Sequence, residues 1–388
     1  MTQTIKQKMP NQELVKNYRA YTDKYFLRSK QILKVENINP TIRYQIFARK
    51  DMDYLEGLSE TVGFVKSVVG DKVKIYSLKD GQNYQGGEPL MKLEGRVQDL
   101  VDLETVYLGI MSGRFTGEID MQTVREKARA VVKAAKDKPV YYFGARHFLP
   151  ELDKQIGKIC YEEGFDGAST DIGAKAWSTE GIGTIPHALI IANAAYRYEN
   201  GLKGNITVET AKIFDKHIDE KVPRILLIDT FNREIYDSVE AAKNVPNLKG
   251  VRIDTCGENY SQGSRKIELP ELLKREIDEK YLTGSGVKIN SVWALRRALD
   301  DEGFGNLEIT VSSGFNEKKT EAFLRADGVY QKIYGKTLFD SIGTGSLANP
   351  VMATSDIVAY YSEKKKKWIP LSKNGRGEVE SKRLEVAK

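Results

Sequence analysis

The stretch Gly181-Ile-Gly-Thr-Ile-Pro-His-Ala-Leu-Ile190 opens on glycines, passes Pro186, and turns apolar and helix-forming from Ala188 to Ala192. It reads as a strand end, a tight turn and a helix start. A helix N-terminus carries unpaired N–H groups and partial positive charge, so this turn suits an anion such as phosphate. His187 sits on it, one of three histidines in the chain with His147 and His217. Alone, the stretch is equally a helix-capping loop with a part-buried histidine. Its neighbours decide.

The same pattern recurs on both sides. From about residue 120, the apolar runs Val140-Tyr-Tyr-Phe143, Ile225-Leu-Leu-Ile228, Gly250-Val-Arg-Ile253 and Leu307-Glu-Ile-Thr-Val311 end in polar or glycine-rich loops. Helical stretches at 121–136, 151–163, 208–217, 234–243 and 287–302 lie between them. Alternating β and α elements imply a parallel sheet, and this much chain implies a TIM-like α/β barrel with its chemistry at the C-terminal strand ends. The loops expected there are Phe143–Arg146, Ala168–Asp171, Gly183-Thr184, Asp229-Thr230, Arg252–Asp254, Ser312–Gly314 and Gly343–Gly345. They number seven, one fewer than a regular eightfold barrel, and are unevenly spaced, so an irregular or open barrel is expected.

Ahead of the barrel, residues 10–34 read as a helix that packs on it, with Tyr18, Tyr21, Tyr25 and Phe26 on one face. Inside it, Thr22-Asp-Lys-Tyr25 is too polar for a packed helix face. Residues 41–49 alternate as a strand does. The segment 51–97 reads as short strands, Phe64-Val-Lys-Ser-Val-Val69 and Val73–Leu78 among them, and a helix follows at about 99–112. The expected layout is a smaller, β-rich α/β sandwich domain at 1–118, the catalytic barrel at 119–361, and a basic tail at 362–388. The tail carries Lys364–Lys367, Lys373, Arg376, Lys382 and Arg383 and reads as a solvated end.

Composition narrows the class. The chain has 388 residues, 40% hydrophobic and 29% charged, and no apolar run approaches the roughly 20 residues that span a bilayer. Two cysteines argue against a disulfide framework or a thiolate zinc site. The N-terminus lacks a signal-peptide core, so a cytoplasmic protein with no membrane partner is expected. A net charge of +6 over this length is weak evidence for nucleic acid, and none is expected as a partner. It suits a site for phosphorylated small molecules. Backbone N–H groups at Ser313-Gly314 and Gly343-Thr-Gly345-Ser346 can cradle phosphate. Arg146 and Arg252 can fork onto phosphate or carboxylate oxygens, and Asp229 and Asp254 can accept from sugar hydroxyls or help hold Mg²⁺.

Taken in order, Thr22-Asp-Lys-Tyr25, Gly87-Glu-Pro-Leu90, Phe143-Gly-Ala-Arg146, Gly183-Thr-Ile-Pro-His187, Ile228-Asp-Thr230, Val251-Arg-Ile-Asp254, Val311-Ser-Ser-Gly314 and Ile342-Gly-Thr-Gly345 resemble the nicotinate phosphoribosyltransferase family of type II phosphoribosyltransferases. The resemblance runs from about residue 14 to 358. It implies transfer of a phosphoribosyl group from phosphoribosyl pyrophosphate (PRPP) to nicotinate, giving nicotinate mononucleotide and pyrophosphate. Quinolinate with decarboxylation, nicotinamide, and a non-catalytic barrel that only binds are the alternatives.

The resemblance also implies roles. Phe143 would stack on the pyridine ring, Tyr25 would cover it from a neighbouring subunit, and Arg146 would bind its substituent. Thr184, Arg252, Ser313, Gly314, Gly343, Thr344 and Gly345 would hold PRPP phosphates. Asp254 would bind ribose hydroxyls, and Asp229 would sit at the reacting centre with Mg²⁺. His187 matches a histidine that related enzymes phosphorylate, with ATP as co-substrate. A homodimer or higher oligomer with shared sites is implied. Asp171 leaves the ring open: facing the ring it favours nicotinamide, and paired with Lys175 it leaves nicotinate, which is preferred because an i,i+4 pair is geometrically easy.

Overall fold

The computed structural model describes residues 11–345 and 347–387, so Ser346 of the expected phosphate loop lies outside the described residues. The strands in chain order are β1 (Thr41–Ala48), β2 (Lys74–Ser77), β3 (Pro89–Arg96), β4 (Val140–Tyr142), β5 (Gly167–Ala168), β6 (Arg224–Leu227), β7 (Leu248–Ile253), β8 (Glu308–Val311), β9 (Ser341–Thr344), β10 (Ala353–Ser362), β11 (Lys367–Pro370) and β12 (Glu385–Val386). They form two six-stranded sheets. One is antiparallel, in the order β11-β10-β1-β3-β2-β12. The other is parallel, in the order β5-β4-β9-β8-β7-β6, and curls as an incomplete barrel.

The parallel strands are short apolar runs because helices cover them outside and side chains fill them inside. Val140, Leu226, Val251, Ile309 and Ile342 are all fully buried or nearly so. The barrel is open between β5 and β6, as the seven uneven loops imply. An irregular segment spans the gap. The Ile182 N–H donates to the Ala168 carbonyl at 2.8 Å, and the Thr184 hydroxyl donates to the Ile225 carbonyl. The stretch 181–190 therefore carries a non-strand wall of the barrel and then turns into the helix His187–Asn200.

Three expectations need correction. Phe64–Val69 is not a strand but the second half of a helix, Leu58–Val69. Leu58, Thr61, Phe64 and Val65 recur at helical spacing and are buried together, and Gly57 and Gly70, both at positive φ, bracket the element. Residues 10–34 are not one helix. Helix Gln12–Asn17 and a 3₁₀ turn, Tyr18–Tyr21, precede the helix Lys24–Val35. Thr22 and Asp23 break the run because their polar groups are buried and paired. The Thr22 hydroxyl donates to the Asp102 carbonyl at 3.0 Å, and the Thr105 hydroxyl donates to Asp23 at 3.0 Å.

The third correction concerns the tail. Lys364–Lys367 are exposed, but β10 and β11 extend the antiparallel sheet beside β1. The chain then crosses to the barrel mouth, where Lys373 is 5% exposed. The Asn374 N–H donates to the Thr230 carbonyl at 2.9 Å and ties this crossing segment to the loop after β6. Among the described residues, no helix is long and apolar enough to cross a membrane.

Candidate active site at the barrel mouth

A cavity of about 400 Å³ lies where the C-terminal ends of the parallel strands face the antiparallel sheet. Arg146, His187, Arg252, Asp254, Ser313 and Gly314 line it from the barrel. Glu104, Asp356 and Lys373 line it from the opposite side. Six of the expected site residues are thus gathered from four separate barrel loops into one space.

His187 opens its helix, behind Pro186, so the positive end of that helix faces the cavity. The Lys373 ammonium donates to His187 Nε2 at 2.8 Å, and Nδ1 lies 2.9 Å from the Thr230 hydroxyl. An ammonium has only donors, so Nε2 is the acceptor and the ring proton sits on Nδ1, donating to Thr230. Burial, and then the charge of Lys373, hold the imidazole well below its usual pKa, so it is neutral. Lys373 also lies 2.6 Å from Asp229, whose side chain is 0% exposed. Burial alone would lower the lysine pKa, but Asp229 and Asp254 outweigh it and hold Lys373 above its ordinary value.

This arrangement does not fit an Mg²⁺ held by Asp229. The carboxylate is closed off from solvent and its charge is met by Lys373. Among the described residues no three His, Cys, Asp or Glu side chains cluster as a metal site.

The phosphate side is built on β7 and β8. Arg252 projects from β7 into the cavity, and Asp254 just beyond the strand accepts from the Ser312 hydroxyl at 2.8 Å. Ser313 (φ 77°) and Gly314 (φ 68°) are both left-handed, an unfavourable conformation for a serine that turns the chain sharply into the helix Glu317–Tyr334. From that helix Lys319 donates to the Ser313 carbonyl at 2.7 Å, and burial, then Lys288, pull its pKa down to about 7.

The ring side is built around Phe143, which lines a smaller adjoining cavity of about 170 Å³. Tyr25 and Arg252 line both cavities, and the Arg252 guanidinium stands 5.7 Å from the Phe143 ring centre. Arg146 pairs with the buried Glu104 at 3.3 Å and lies over the Tyr25 ring at 5.9 Å. Tyr25 thus lines the cavities of its own chain. The Lys24 N–H docks the start of its helix on the Ser169 carbonyl at 2.7 Å and fixes it there.

Seven expected residues lie off the main cavity wall: Phe143 and Asp229, described above, and five more. Asp171 pairs with Lys24 at 3.0 Å and accepts the Gly181 N–H at 2.8 Å, so it neither faces the ring nor meets Lys175. The argument for nicotinamide from Asp171 falls with that placement. The Thr184 hydroxyl closes the barrel on Ile225. The Thr344 hydroxyl donates to the Phe315 carbonyl at 2.6 Å. Gly345 packs against His147, whose Nδ1 lies 3.0 Å from the Gly345 carbonyl. Gly343 has a different use from the expected one. A Cβ there would sit 2.2 Å from the Phe143 ring, so glycine makes the space the ring occupies.

Sequence reasoning missed Glu104, Lys319 and Lys373. Glu104 is the first residue of the helix Glu104–Thr116, and Lys319 is the third residue of the helix Glu317–Tyr334, positions that usually face solvent. Lys373 stands in a run of charged residues with no periodicity. A hint lay in the Leu371–Gly377 stretch, where glycines and Asn374 break the lysine-rich composition.

Known proteins resemble this chain in sequence and in fold. Residues 23–113 match the family described as quinolinate phosphoribosyl transferase, N-terminal domain. The chain is 25% identical over 290 residues to a nicotinate phosphoribosyltransferase of Mycobacterium tuberculosis, covering 72% of this chain and 51% of that one. It is 24% identical over 321 residues to the nicotinate phosphoribosyltransferase of Bacillus subtilis, covering 80% and 56%. The chain spans about half the length of these relatives. The fold is that of the Porphyromonas gingivalis nicotinate phosphoribosyltransferase crystal structure, with a TM-score of 0.64 at 15% identity over 93% of this chain and 96% of that one.

Proposed function

We propose that this chain is a member of the nicotinate phosphoribosyltransferase family and that it transfers the phosphoribosyl group of PRPP to nicotinate. One observation carries the reading. A single cavity presents two arginines, a left-handed Ser-Gly turn and a helix N-terminus to one small volume, with carboxylates between them. Phosphates need the first set, and a sugar that develops positive charge needs the second.

The roles follow from position. Arg252 and the Ser313-Gly314 turn take the 5-phosphate. Asp254, held by Ser312, accepts from the ribose hydroxyls. The pyridine ring lies between Tyr25 and Phe143, with its carboxylate on Arg146. Stacking aligns the ring nitrogen with C1 of the ribose. The nitrogen lone pair forms the new C–N bond as pyrophosphate leaves with the C–O electron pair, and Asp254 offsets the charge on the sugar between those events. Tyr25 already stands in its own chain's cavity, so this stack needs no second subunit. ATP enters the reading as co-substrate through His187.

Initial rates with PRPP and each of nicotinate, nicotinamide and quinolinate test the assignment. Nicotinate should show the highest kcat/KM. Carbon dioxide release from quinolinate at a higher kcat/KM would replace it with the decarboxylating reaction.

Two variants separate the halves of the site. Arg252→Ala should raise the KM for PRPP by roughly 10- to 150-fold, from about 1.5–3 kcal/mol for a hydrogen bond to a charged group. An unchanged PRPP requirement would remove Arg252 from the phosphate site. Gly343→Ala should instead act on the ring. It displaces Phe143, and a lost stacking contact of about 0.5–1.5 kcal/mol raises the nicotinate KM roughly 2- to 12-fold. A change in the PRPP constant alone would place Phe143 elsewhere.

A further inference from the structure

We propose that Glu104 sets the ring specificity of this site: as a neutral acid it donates a hydrogen bond to the carboxylate of a ring ligand held on Arg146, and as an anion it turns that ligand away. The inference rests on the phosphoribosyl-transfer reading and adds a residue to it. Glu104 opens the helix Glu104–Thr116, is 5% exposed, and lines the main cavity beside Arg146. Its Oε1 lies 3.3 Å from Arg146 Nη1. The guanidinium that would fork onto a substrate carboxylate therefore already has an acidic neighbour. A second carboxylate brought to the same guanidinium leaves two like charges in a buried space, and one of them must be neutral.

The groups around Glu104 say which one. Arg146, on the turn after β4, favours the anion. Asp356 on β10 and Asp23 ahead of the helix Lys24–Val35 oppose it. Tyr107 on its own helix, Tyr25 and Tyr44 face it as neutral phenols, their pKa values raised chiefly by burial. Asp356 is itself raised by burial, with Arg376 opposing. Burial dominates at Glu104 and lifts its carboxyl to about 8, with Arg146 pulling the other way. Near neutral pH the group is then an O–H donor that a ring carboxylate can accept from. Above its pKa it is an anion that competes for Arg146. A ring carboxamide is uncharged, and its N–H can donate to the ionised form, so it loses nothing as pH rises.

The test uses the full chain with PRPP. The nicotinate KM and the inhibition constant of nicotinamide are measured from about pH 6 to about pH 9.5, in wild type and Glu104→Gln, an interval that brackets the shifted carboxyl. The wild-type nicotinate KM should rise roughly tenfold per pH unit above about 8. In Glu104→Gln it should stay flat, while nicotinamide shows no such rise in either protein. The same rise in wild type and variant would overturn the inference. Should the variant not fold, the wild type still decides, because a nicotinate-to-nicotinamide ratio constant with pH would overturn it. No nucleotide from nicotinate at any pH would remove the reading of function as well. Nucleotide formation with an unaltered profile removes only the role of Glu104.

Discussion

Lys373→Met is expected to destabilise the folded chain by about 3–5 kcal/mol, the range for stranding one partner of a buried ion pair. The Asp229 side chain is 0% exposed, and Lys373 lies 2.6 Å from it with only 6% of its own side chain exposed. Methionine fills much of the lysine's volume but leaves the carboxylate in a dry space without its cation. The lysine also bonds His187 and lies 3.3 Å from the Asp254 carbonyl, so its loss loosens the crossing segment as well. The double variant Lys373→Met/Asp229→Asn removes both charges and should recover most of the stability while leaving transfer activity near background. Urea unfolding of wild type and both variants measures this. A single variant as stable as wild type would mean that the pair is not closed to solvent as the structure has it.

His187→Ala is expected to abolish covalent labelling by γ-labelled ATP. The imidazole is neutral, its Nδ1–H is committed to Thr230, and its Nε2 lone pair points to Lys373. In the expected step, Nε2 forms a bond to the γ-phosphorus, the bond to the ADP oxygen breaks, and ADP leaves with that electron pair. Lys373 then has a phosphoryl oxygen to donate to in place of the ring nitrogen. Acid-labile label should appear in the wild type and vanish in His187→Ala. Removing Lys373 together with Asp229 should lower labelling roughly 10- to 150-fold, from about 1.5–3 kcal/mol for a lost charge-assisted bond. A fully active wild type that takes no label would leave His187 only a hydrogen-bonding role.

What could be read from the chain follows from how local each signal is. The barrel was legible because each βα unit writes its own pattern, an apolar run, a polar loop and a periodic helix. Arg146, Arg252, Asp254 and the Ser313-Gly314 turn were legible because each stands where such a run ends. The helix Leu58–Val69 was misread because Phe64–Val69 is apolar and β-branched, and only the earlier Leu58 and Thr61 reveal its helical spacing. Asp171 was misplaced because its partner, Lys24, lies far off in the chain and a nearby Lys175 offered an easier pair. Lys373 and Glu104 were illegible for one reason. Their burial depends on two sheets closing over them, and neither position carries a local mark of that contact.

The most direct measurement of the central claim is the mass balance of one reaction. Purified protein, nicotinate and PRPP are incubated together, and nucleotide and pyrophosphate are quantified by mass spectrometry and phosphate assay. The account predicts one nicotinate mononucleotide and one pyrophosphate for each nicotinate consumed, none without PRPP, and a rate that collapses in Asp254→Ala. Consumption of PRPP with no pyridine nucleotide from any of the three rings would contradict it.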